Sequence, residues 1–177
     1  MKTCLLYGLG ITLAGALLVF VEFFLGYHSD PEKFQTGQVF GTIGGLLITI
    51  VGLVYGMREV RERTADRALS YGRGVGIGAL ITIFSGIFGA VFYLIYGLVI
   101  NPEFHELVYQ AQIQAMEAKG LKASQIESME GLMRFFTGPV WFAFANLFGA
   151  PLLGTLLSLI IALFLKRAPA ANVPPPV

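Results

Sequence analysis

Two polar residues inside long apolar stretches are the candidates for chemistry in this chain. Glu22 lies near the end of the first apolar stretch, and Asn146 lies within the last one. A carboxylate inside a membrane-spanning helix is by default a candidate site for a proton or a cation, because burying a charge there is costly. An asparagine in the same setting can hydrogen-bond to another helix or contact a substrate.

The depth of each residue in its helix decides between these interpretations. At 1.5 Å per residue, Glu22 lies about 28 Å beyond Thr3, at the outer boundary of a hydrocarbon core about 30 Å thick. We therefore expect its carboxylate to meet water, in preference to forming a proton or cation site. Asn146 lies about 12 Å below the outer end of its stretch. We expect an interhelical hydrogen bond there, in preference to a substrate contact.

Other chemistry has little support in the sequence. The single cysteine, Cys4, excludes an internal disulfide framework and a multi-thiolate zinc site. His28 and His105 are far apart along the chain and are expected at the surface, not in a metal site. No serine or cysteine lies in a nucleophile motif, and the glycine-rich segment 72–76 lacks the lysine of a phosphate-binding loop. The sequence predicts no enzyme, no metal and no cofactor.

Four long apolar blocks must position these residues. The chain has 177 residues, of which 55% are hydrophobic and 13% charged, a composition too apolar for an ordinary soluble domain. The first block also resembles a signal peptide, but it continues past Ala14-Gly15-Ala16 without a polar cleavage region, which favours an uncleaved span. The sequence predicts an all-α integral membrane four-helix bundle with spans at residues 3–26, 39–57, 74–100 and 139–165.

The segment between the third and fourth spans, residues 101–137, predicts a helical hairpin outside the membrane. Asn101-Pro102-Glu103 has the residue types of a helix start, and the amphipathic pattern that follows stops at Gly120. Ser124 and Glu127 have the spacing of a capping box for a second helix. The hairpin could pack on the bundle, on itself or on lipid, and a lid over the bundle is preferred. The domain thus covers residues 1–167, and the proline-rich tail 168–177 is predicted to be disordered.

The distribution of charge predicts the orientation. The loop between the second and third spans is dense in arginine, and such loops stay on the cytoplasmic side. With both termini on that side, the inner face carries eight of the twelve basic residues and three acidic ones. Four basic and seven acidic residues fall outside. We therefore predict a multi-pass protein of the bacterial inner membrane with both termini in the cytoplasm.

Small residues recur at helical spacing in each span. Between helices in lipid, association depends on close backbone approach, which small side chains permit. The pattern predicts packing within a tight bundle, in preference to a pore lining or a dimer contact. The residues expected to pack between helices are Gly41, Gly45, Gly52, Gly56, Gly74, Gly78, Ser85, Gly89 and Gly154.

Four segments carry a resemblance to a known family. They read Tyr55-Gly56-Met57-Arg58-Glu59-Val60-Arg61, then Ser70-Tyr71-Gly72-Arg73-Gly74, then Asn101-Pro102-Glu103-Phe104, then Gln114-Ala115-Met116-Glu117-Ala118-Lys119-Gly120. With them the chain resembles domain of unknown function 4199 over nearly its whole length, apart from the proline tail. The resemblance implies a small bacterial four-span membrane protein and adds no catalytic residue. Family members often have Asp-Pro where this chain has Asn101-Pro102.

Two functions from different classes are compatible with these features. The preferred one is a structural or interaction protein that acts through the lipid bilayer and a membrane or envelope protein partner. The alternative is a small ion- or proton-coupled transporter or channel that uses Glu22 and Asn146. No inverted repeat is visible, which counts against the alternative. No nucleic-acid partner is expected, and homo-oligomerisation is left open.

Overall fold

The computed structural model describes residues 1–64 and 67–168, and over these residues the chain is all-α. The helices are α1 (Lys2–Phe24), α2 (Pro31–Glu62), α3 (Tyr71–Ile95), α4 (Phe104–Ala118), α5 (Ala123–Thr137) and α6 (Pro139–Leu165), with a π-helix at Tyr96–Ile100 that continues α3. The predicted all-α helical bundle is confirmed. Four helices, α1, α2, α3 with its π-helical extension, and α6, are long and apolar enough to cross a membrane. Of the predicted disordered tail, residues 169–177 lie outside the described range.

The second long helix begins earlier than the sequence pattern indicates. It starts at Pro31, so most of the predicted connection before residue 39 is helical. The Asp30 carboxylate accepts a hydrogen bond from the Glu32 N–H at 3.0 Å, with proline in the first position and an acid in the first turn. This is the same combination of cap, proline and acid that the sequence has at Asn101. The connection to α1 is therefore short, which brings His28 close to both helices.

Both predicted caps of the outer hairpin are wrong. Helix α4 begins at Phe104, and the Asn101 side chain does not cap it. Instead, the Asn101 N–H donates to the Tyr96 carbonyl at 2.7 Å and closes the π-helix. Helix α5 begins at Ala123, where the Lys122 N–H donates to Gln125 Oε1 at 3.0 Å. The predicted Ser124–Glu127 capping box is thus not formed, and a single hydrogen bond of this kind lies two residues earlier.

Helix α3 is the central helix and packs against both α1 and α6. Its contact with α6 is the most extensive in the bundle. Glycines allow this approach, because a Cβ at Gly78 would overlap Ser158 and one at Gly154 would overlap Thr82. Leu53, Met57 and Ile81 fill the interior at this level and are completely buried. Because the hydrophobic effect does not drive helices together in lipid, close backbone contact stabilises their association instead.

The remaining small residues of the predicted stripes differ in their surroundings. Most face another helix, and only one has open space around it. A Cβ would meet Glu22 at Gly41, Ile11 at Gly52, Ile81 and Tyr7 at Gly56, Ala162 at Gly74 and Asn146 at Gly89, whereas at Gly45 it would meet nothing within 4 Å. Ser85 contributes its carbonyl, which accepts from the Thr12 hydroxyl at 3.2 Å. Gly45 lines a cavity described below.

Contacts at one end of the bundle tie the start of α1 and α3 to the end of α2 and α6. The Tyr7 hydroxyl donates to Glu59 Oε2 at 2.8 Å. Leu69 and Arg167 exchange backbone hydrogen bonds of 2.9 and 3.0 Å in an isolated β-bridge. The arginine-rich segment and the end of α6 therefore lie together, and the hairpin lies at the opposite end.

The hairpin covers that opposite end. In α4, Phe104 and Val108 pack against Val19, Phe34 and Tyr96 of the bundle. A second apolar cluster joins α4 to α5 through Tyr109, Ile126 and Met133. The other apolar face of α5 stays exposed through Leu132, Phe135 and Phe136. The exposed Val140 and Phe144 follow at the start of α6. The hairpin thus packs both on the bundle and on itself, and α5 presents an apolar face outward.

Candidate functional site

The Glu22 carboxylate lies in the last turn of α1 and is buried, with 5% of the residue exposed. Its Oε2 lies 3.3 Å from His28 Nε2. Its Oε1 has no hydrogen-bond partner in the part of the chain that the structure describes. Gly41 of α2 lies directly against Oε1, so a Cβ there would overlap it. Glu22 is near the helix end, as predicted, and its carboxylate is covered by other parts of the chain instead of lying on the protein surface.

A tight reversal after α1 brings His28 back to Glu22. Gly26 has a φ of 81°, in the left-handed region that glycine adopts without steric cost. The Tyr27 N–H then donates to the Glu22 carbonyl at 2.9 Å. Tyr27 packs on Gly37 of α2, where a Cβ would lie 2.6 Å from the tyrosine Cβ. The sequence between α1 and α2 therefore fixes the position of the imidazole over the carboxylate.

His28 continues a chain of polar contacts away from Glu22. Its Nδ1 lies 2.6 Å from the Tyr96 hydroxyl. Asn101 Nδ2 donates to the His28 carbonyl and to the Tyr96 hydroxyl, each at 3.3 Å. Phe104 of α4 covers the imidazole, with the ring centroids 4.5 Å apart. We name Glu22, His28, Tyr96 and Asn101 the Glu22 cluster.

The electrostatics of the cluster follow from its burial. The His28 side chain is 9% exposed, so the predicted surface position is wrong. Burial disfavours the imidazolium and lowers the pKa of His28 to about 4. At neutral pH the ring is therefore neutral, with one nitrogen donating and the other accepting. In one tautomer, Nε2 carries the proton and faces Glu22, while Nδ1 accepts a hydrogen bond from the Tyr96 hydroxyl. In the other tautomer, Nδ1 carries the proton and donates to the Tyr96 hydroxyl, while Nε2 faces Glu22 without a proton.

Sequence reasoning misses three members of this cluster. From residue type and position, Tyr96 is predicted to belong to an aromatic belt at the membrane interface. Asn101 is predicted to cap a helix, and His28 is predicted to lie at the surface. One signal could have placed His28, namely the Asp30-Pro31-Glu32 helix start, which leaves only a short connection after α1. Tyr96 and Asn101 carry no comparable signal, because a π-helix between them has no distinctive residue pattern here.

Asn146 faces the same interior as Glu22. A cavity of about 220 Å³ is lined by both residues, and the hydroxyl-bearing residues Thr12, Thr49, Ser85 and Tyr93 also line it. Asn146 Nδ2 donates to the Phe142 carbonyl of its own helix at 3.0 Å, so the expected interhelical hydrogen bond is not the one formed. Its Oδ1 faces Gly89 of α3. The structure therefore brings the two sequence candidates to one polar cavity.

A second cavity lies on the other side of the carboxylate, under the hairpin. It measures about 330 Å³ and is lined by Glu22, His28, Gln38, Thr42 and Phe104. Each cavity can hold several water molecules, since a water occupies about 30 Å³ in the liquid. Glu22 lines both cavities and connects the Glu22 cluster to the interior of the bundle.

The chemistry available here is that of a proton or a small cation. A carboxylate, an amide oxygen and hydroxyls are hard oxygen ligands, and the imidazole can exchange a proton with the carboxylate. Within the described residues, no three His, Cys, Asp or Glu side chains are grouped so as to hold a metal ion. His105 lies apart from the cluster, with Nδ1 2.8 Å from the Thr137 carbonyl.

Comparison with known proteins gives one match. The family model described as "Protein of unknown function (DUF4199)" matches residues 6–167, from the first turns of α1 to just past the end of α6. No curated protein and no solved structure gives a significant match. The family resemblance predicted from four segments of the sequence is confirmed. The chain belongs to the DUF4199 family of proteins of unknown function.

Proposed function

We propose that this multi-pass membrane protein is ion-coupled, and that Glu22 binds a proton or a small monovalent cation inside the bundle. The carrying observation is the buried carboxylate whose Oε1 has no partner in the described part of the chain, between two cavities. A polar group buried without a partner is costly, so a water molecule, a proton or a cation is expected at this oxygen. A proton or a cation on Glu22 would remove that cost.

The neighbours of Glu22 support the same proposal. His28, Tyr96 and Asn101 form a hydrogen-bonded chain that leads from the carboxylate toward the hairpin. On the other side, Asn146 and the hydroxyls supply oxygen atoms deeper in the bundle. An ion reaching Glu22 from the hairpin end would thus find polar groups on both sides of it.

The structural or interaction protein is the second candidate. Close packing of glycines in α3 and α6 favours it, because the bundle interior is rigidly filled at that level. This candidate gives no reason for an unpaired carboxylate oxygen. It would act through a membrane or envelope protein partner, and Glu22 would be dispensable for that role.

Proton uptake by proteoliposomes tests the first candidate. Vesicles containing pyranine and the full chain are given an inside-negative potential with a potassium gradient and valinomycin. We expect the parent protein to acidify the lumen faster than protein-free vesicles, and Glu22→Gln to lower the rate to that of protein-free vesicles. Because pyranine reports only protons, the rates of sodium and lithium uptake are measured in parallel vesicles that contain a dye selective for the cation.

Glu103→Gln is the matched control, because Glu103 is an exposed carboxylate at the same end of the molecule and lines neither cavity. It should retain the parent rate. Glu22→Asp keeps a carboxylate and should retain part of the rate if the variant protein is folded. A parent rate equal to that of protein-free vesicles, or full activity of Glu22→Gln, would overturn ion coupling and leave the structural candidate.

We further propose that the basic end of the bundle faces the cytoplasm of a bacterial inner membrane and that the hairpin lies outside. Loops rich in lysine and arginine are retained on the cytoplasmic side. Arg58, Arg61, Arg63, Lys166 and Arg167 all lie at the end tied together by the Leu69–Arg167 bridge. Both termini then lie in the cytoplasm, because α1 begins and α6 ends there.

Cysteine labelling in intact cells checks this orientation. Single cysteines replace Ser70 or Ser124, both exposed, in a background where the buried Cys4 is changed to serine. An impermeant maleimide should label Ser124→Cys and leave Ser70→Cys unlabelled until the membrane is opened with detergent. Labelling of Ser70→Cys alone in intact cells would reverse the orientation.

A further inference from the structure

A basic pocket lies at the end of the bundle opposite the Glu22 cluster. Its volume is about 570 Å³, and it opens between the segment before α3, the first turn of α3 and the end of α6. Its polar lining comes from Thr64, Ser70, Tyr71, Arg73, Lys166 and Arg167. The pocket does not take part in the ion site proposed above, and nothing in that proposal depends on it.

Backbone contacts hold the walls of this basic pocket together. The two hydrogen bonds between Leu69 and Arg167 join the segment before α3 to the residues after α6. Arg61 Nη1 donates to the Leu165 carbonyl at 3.4 Å, near the C-terminus of α6. The Leu69 side chain is 1% exposed and anchors the segment in the core. The cations of the pocket are therefore carried on a fixed frame, not on a free loop.

The cations in the pocket differ from their neighbours in their ion pairs. Arg63 pairs with Glu59, and both Arg61 and Arg67 pair with Glu62. In contrast, no carboxylate of the described residues lies within ion-pair distance of Arg73, Lys166 or Arg167, and all three residues are exposed. Glu62 also interacts electrostatically with Arg167. However, the carboxylate oxygens of Glu62 form their ion pairs with Arg61 and Arg67. Among the described residues, the lining of the pocket thus carries three cations and no carboxylate.

The start of α3 adds to this positive charge. Ser70 precedes the helix, and its hydroxyl accepts from the Arg73 N–H at 3.4 Å. The other N–H groups of the first turn have no carbonyl partner within the helix, and they carry the positive end of the helix dipole. Helix N-termini with adjacent cations favour phosphate and similar anions.

The level of the pocket in the membrane suits an anion of the lipid surface. Helix α3 has 25 residues and is about 38 Å long, which exceeds a hydrocarbon core of about 30 Å. At least one end therefore extends into the polar headgroup layer, and the exposed, polar first turn with Tyr71 and Arg73 favours that end. Basic pockets between transmembrane helices at this level bind phosphate-bearing headgroups.

We propose that the basic pocket binds a phosphate group at the membrane surface, with Arg73, Lys166 and Arg167 supplying the positive charge and the first turn of α3 supplying hydrogen-bond donors. The phosphodiester of an anionic phospholipid and free inorganic phosphate share this chemistry. The two sources differ in the acyl chains, which would lie along the exposed apolar surface of α6 in the case of the lipid.

Titration of the full chain in a neutral detergent tests the proposal, with native mass spectrometry as the readout. The probes are dioctanoyl phosphatidylglycerol, dioctanoyl phosphatidylcholine and inorganic phosphate. At roughly 1 kcal/mol for each cation, loss of two cations weakens binding by about 30-fold. We expect Arg73→Gln/Lys166→Gln to raise the Kd for phosphatidylglycerol by that factor and to leave the weak binding of phosphatidylcholine unchanged.

Lys2→Gln/Arg58→Gln is the matched control, since it removes one lysine and one arginine from the same end but outside the pocket. It should change the Kd by less than about threefold. The swap Arg73→Lys/Lys166→Arg keeps both charges and should restore most of the affinity. Its recovery would exclude a folding defect as the cause of the loss.

Two outcomes would overturn the proposal that the basic pocket binds a phosphate group. One is an equal loss of affinity in the pocket variant and in the control, which would indicate general surface attraction. The other is phosphatidylcholine binding as tight as phosphatidylglycerol binding. Resistance to displacement by excess inorganic phosphate would support the pocket as a lipid headgroup site. Displacement that depends on Arg73 and Lys166 would support it as a site that also takes the free anion.

Discussion

Replacing Gly78 with leucine should unfold the bundle at detergent concentrations that leave the parent protein folded. A Cβ at Gly78 would overlap Ser158 of α6 and lie 2.5 Å from Met57 Cε of α2. Both of these residues are completely buried, so neither can move into free space. Overpacking a filled core costs about 1–3 kcal/mol or more, and here it would separate the two most extensively packed helices. We expect a loss of free energy of unfolding of at least about 3 kcal/mol.

Gly76→Leu is the control for this substitution. Gly76 lies two residues away on the same helix and is exposed, and a Cβ at this position would meet nothing within 4 Å. The variant should unfold within about 0.5 kcal/mol of the parent, as surface substitutions usually do. Unfolding by sodium dodecyl sulfate, followed by far-ultraviolet circular dichroism, gives both midpoints. Equal midpoints for the two variants would show that Gly78 does not lie in a helix interface.

The hairpin end of the molecule should lose stability as the pH falls from neutrality to 4. Burial lowers the pKa of His28 to about 4 from an ordinary value near 6.5. Between these values the unfolded chain binds more protons than the folded one, so folding stability rises with pH. The contribution is complete above about pH 6.5 and is lost as the pH falls toward 4. From the size of the shift, we expect a loss of about 2–3 kcal/mol.

His28→Gln isolates this contribution, because it keeps a hydrogen-bonding side chain and removes the titrating ring. Glu22 and Tyr96 face His28 in the parent, and carboxylates elsewhere titrate in both proteins. The measured quantity is therefore the difference between the unfolding free energies of parent and variant as a function of pH. Between pH 7 and 4, the unfolding free energy of the parent should fall by about 2–3 kcal/mol more than that of the variant. A difference that is constant with pH, or that shifts toward the parent in acid, would contradict a neutral buried His28.

The two ends of this protein have different polar chemistry, with the bundle interior between them. At the hairpin end, the Glu22 cluster is covered by Phe104 and lies away from solvent. At the other end, Arg73, Lys166 and Arg167 line an open pocket. The packed layer around Leu53, Met57 and Ile81 lies nearer the basic end, so it forms the barrier on that side of the Glu22 cavity. Any ion path from Glu22 to the basic end requires this layer to open, and for that reason the flux measurement is decisive for ion coupling.

The sequence alone determined the class of the fold and the family. Four apolar blocks predicted four long helices, because only a helix satisfies its own backbone hydrogen bonds in lipid and its length must match the bilayer. The stripe through Gly74, Gly78 and Gly89 indicated where helices approach, because small residues at helical spacing are local in sequence. Helix starts were less certain. Asp30 and Asn101 carry similar local signals, yet only Asp30 caps a helix.

Tertiary structure alone decided the composition of the candidate site. Asn146 and Glu22 are far apart in sequence, and helix packing places both on one cavity. Depth along α1 correctly located Glu22 near a helix end, but exposure depends on what covers that end, which is α4 and the reversal at Gly26. The contacts of His28 with Tyr96 and Asn101 span 68 and 73 residues of sequence. Periodicity and spacing report only local geometry, so contacts of this range arise from the packing of whole helices and cannot be read from the residues themselves.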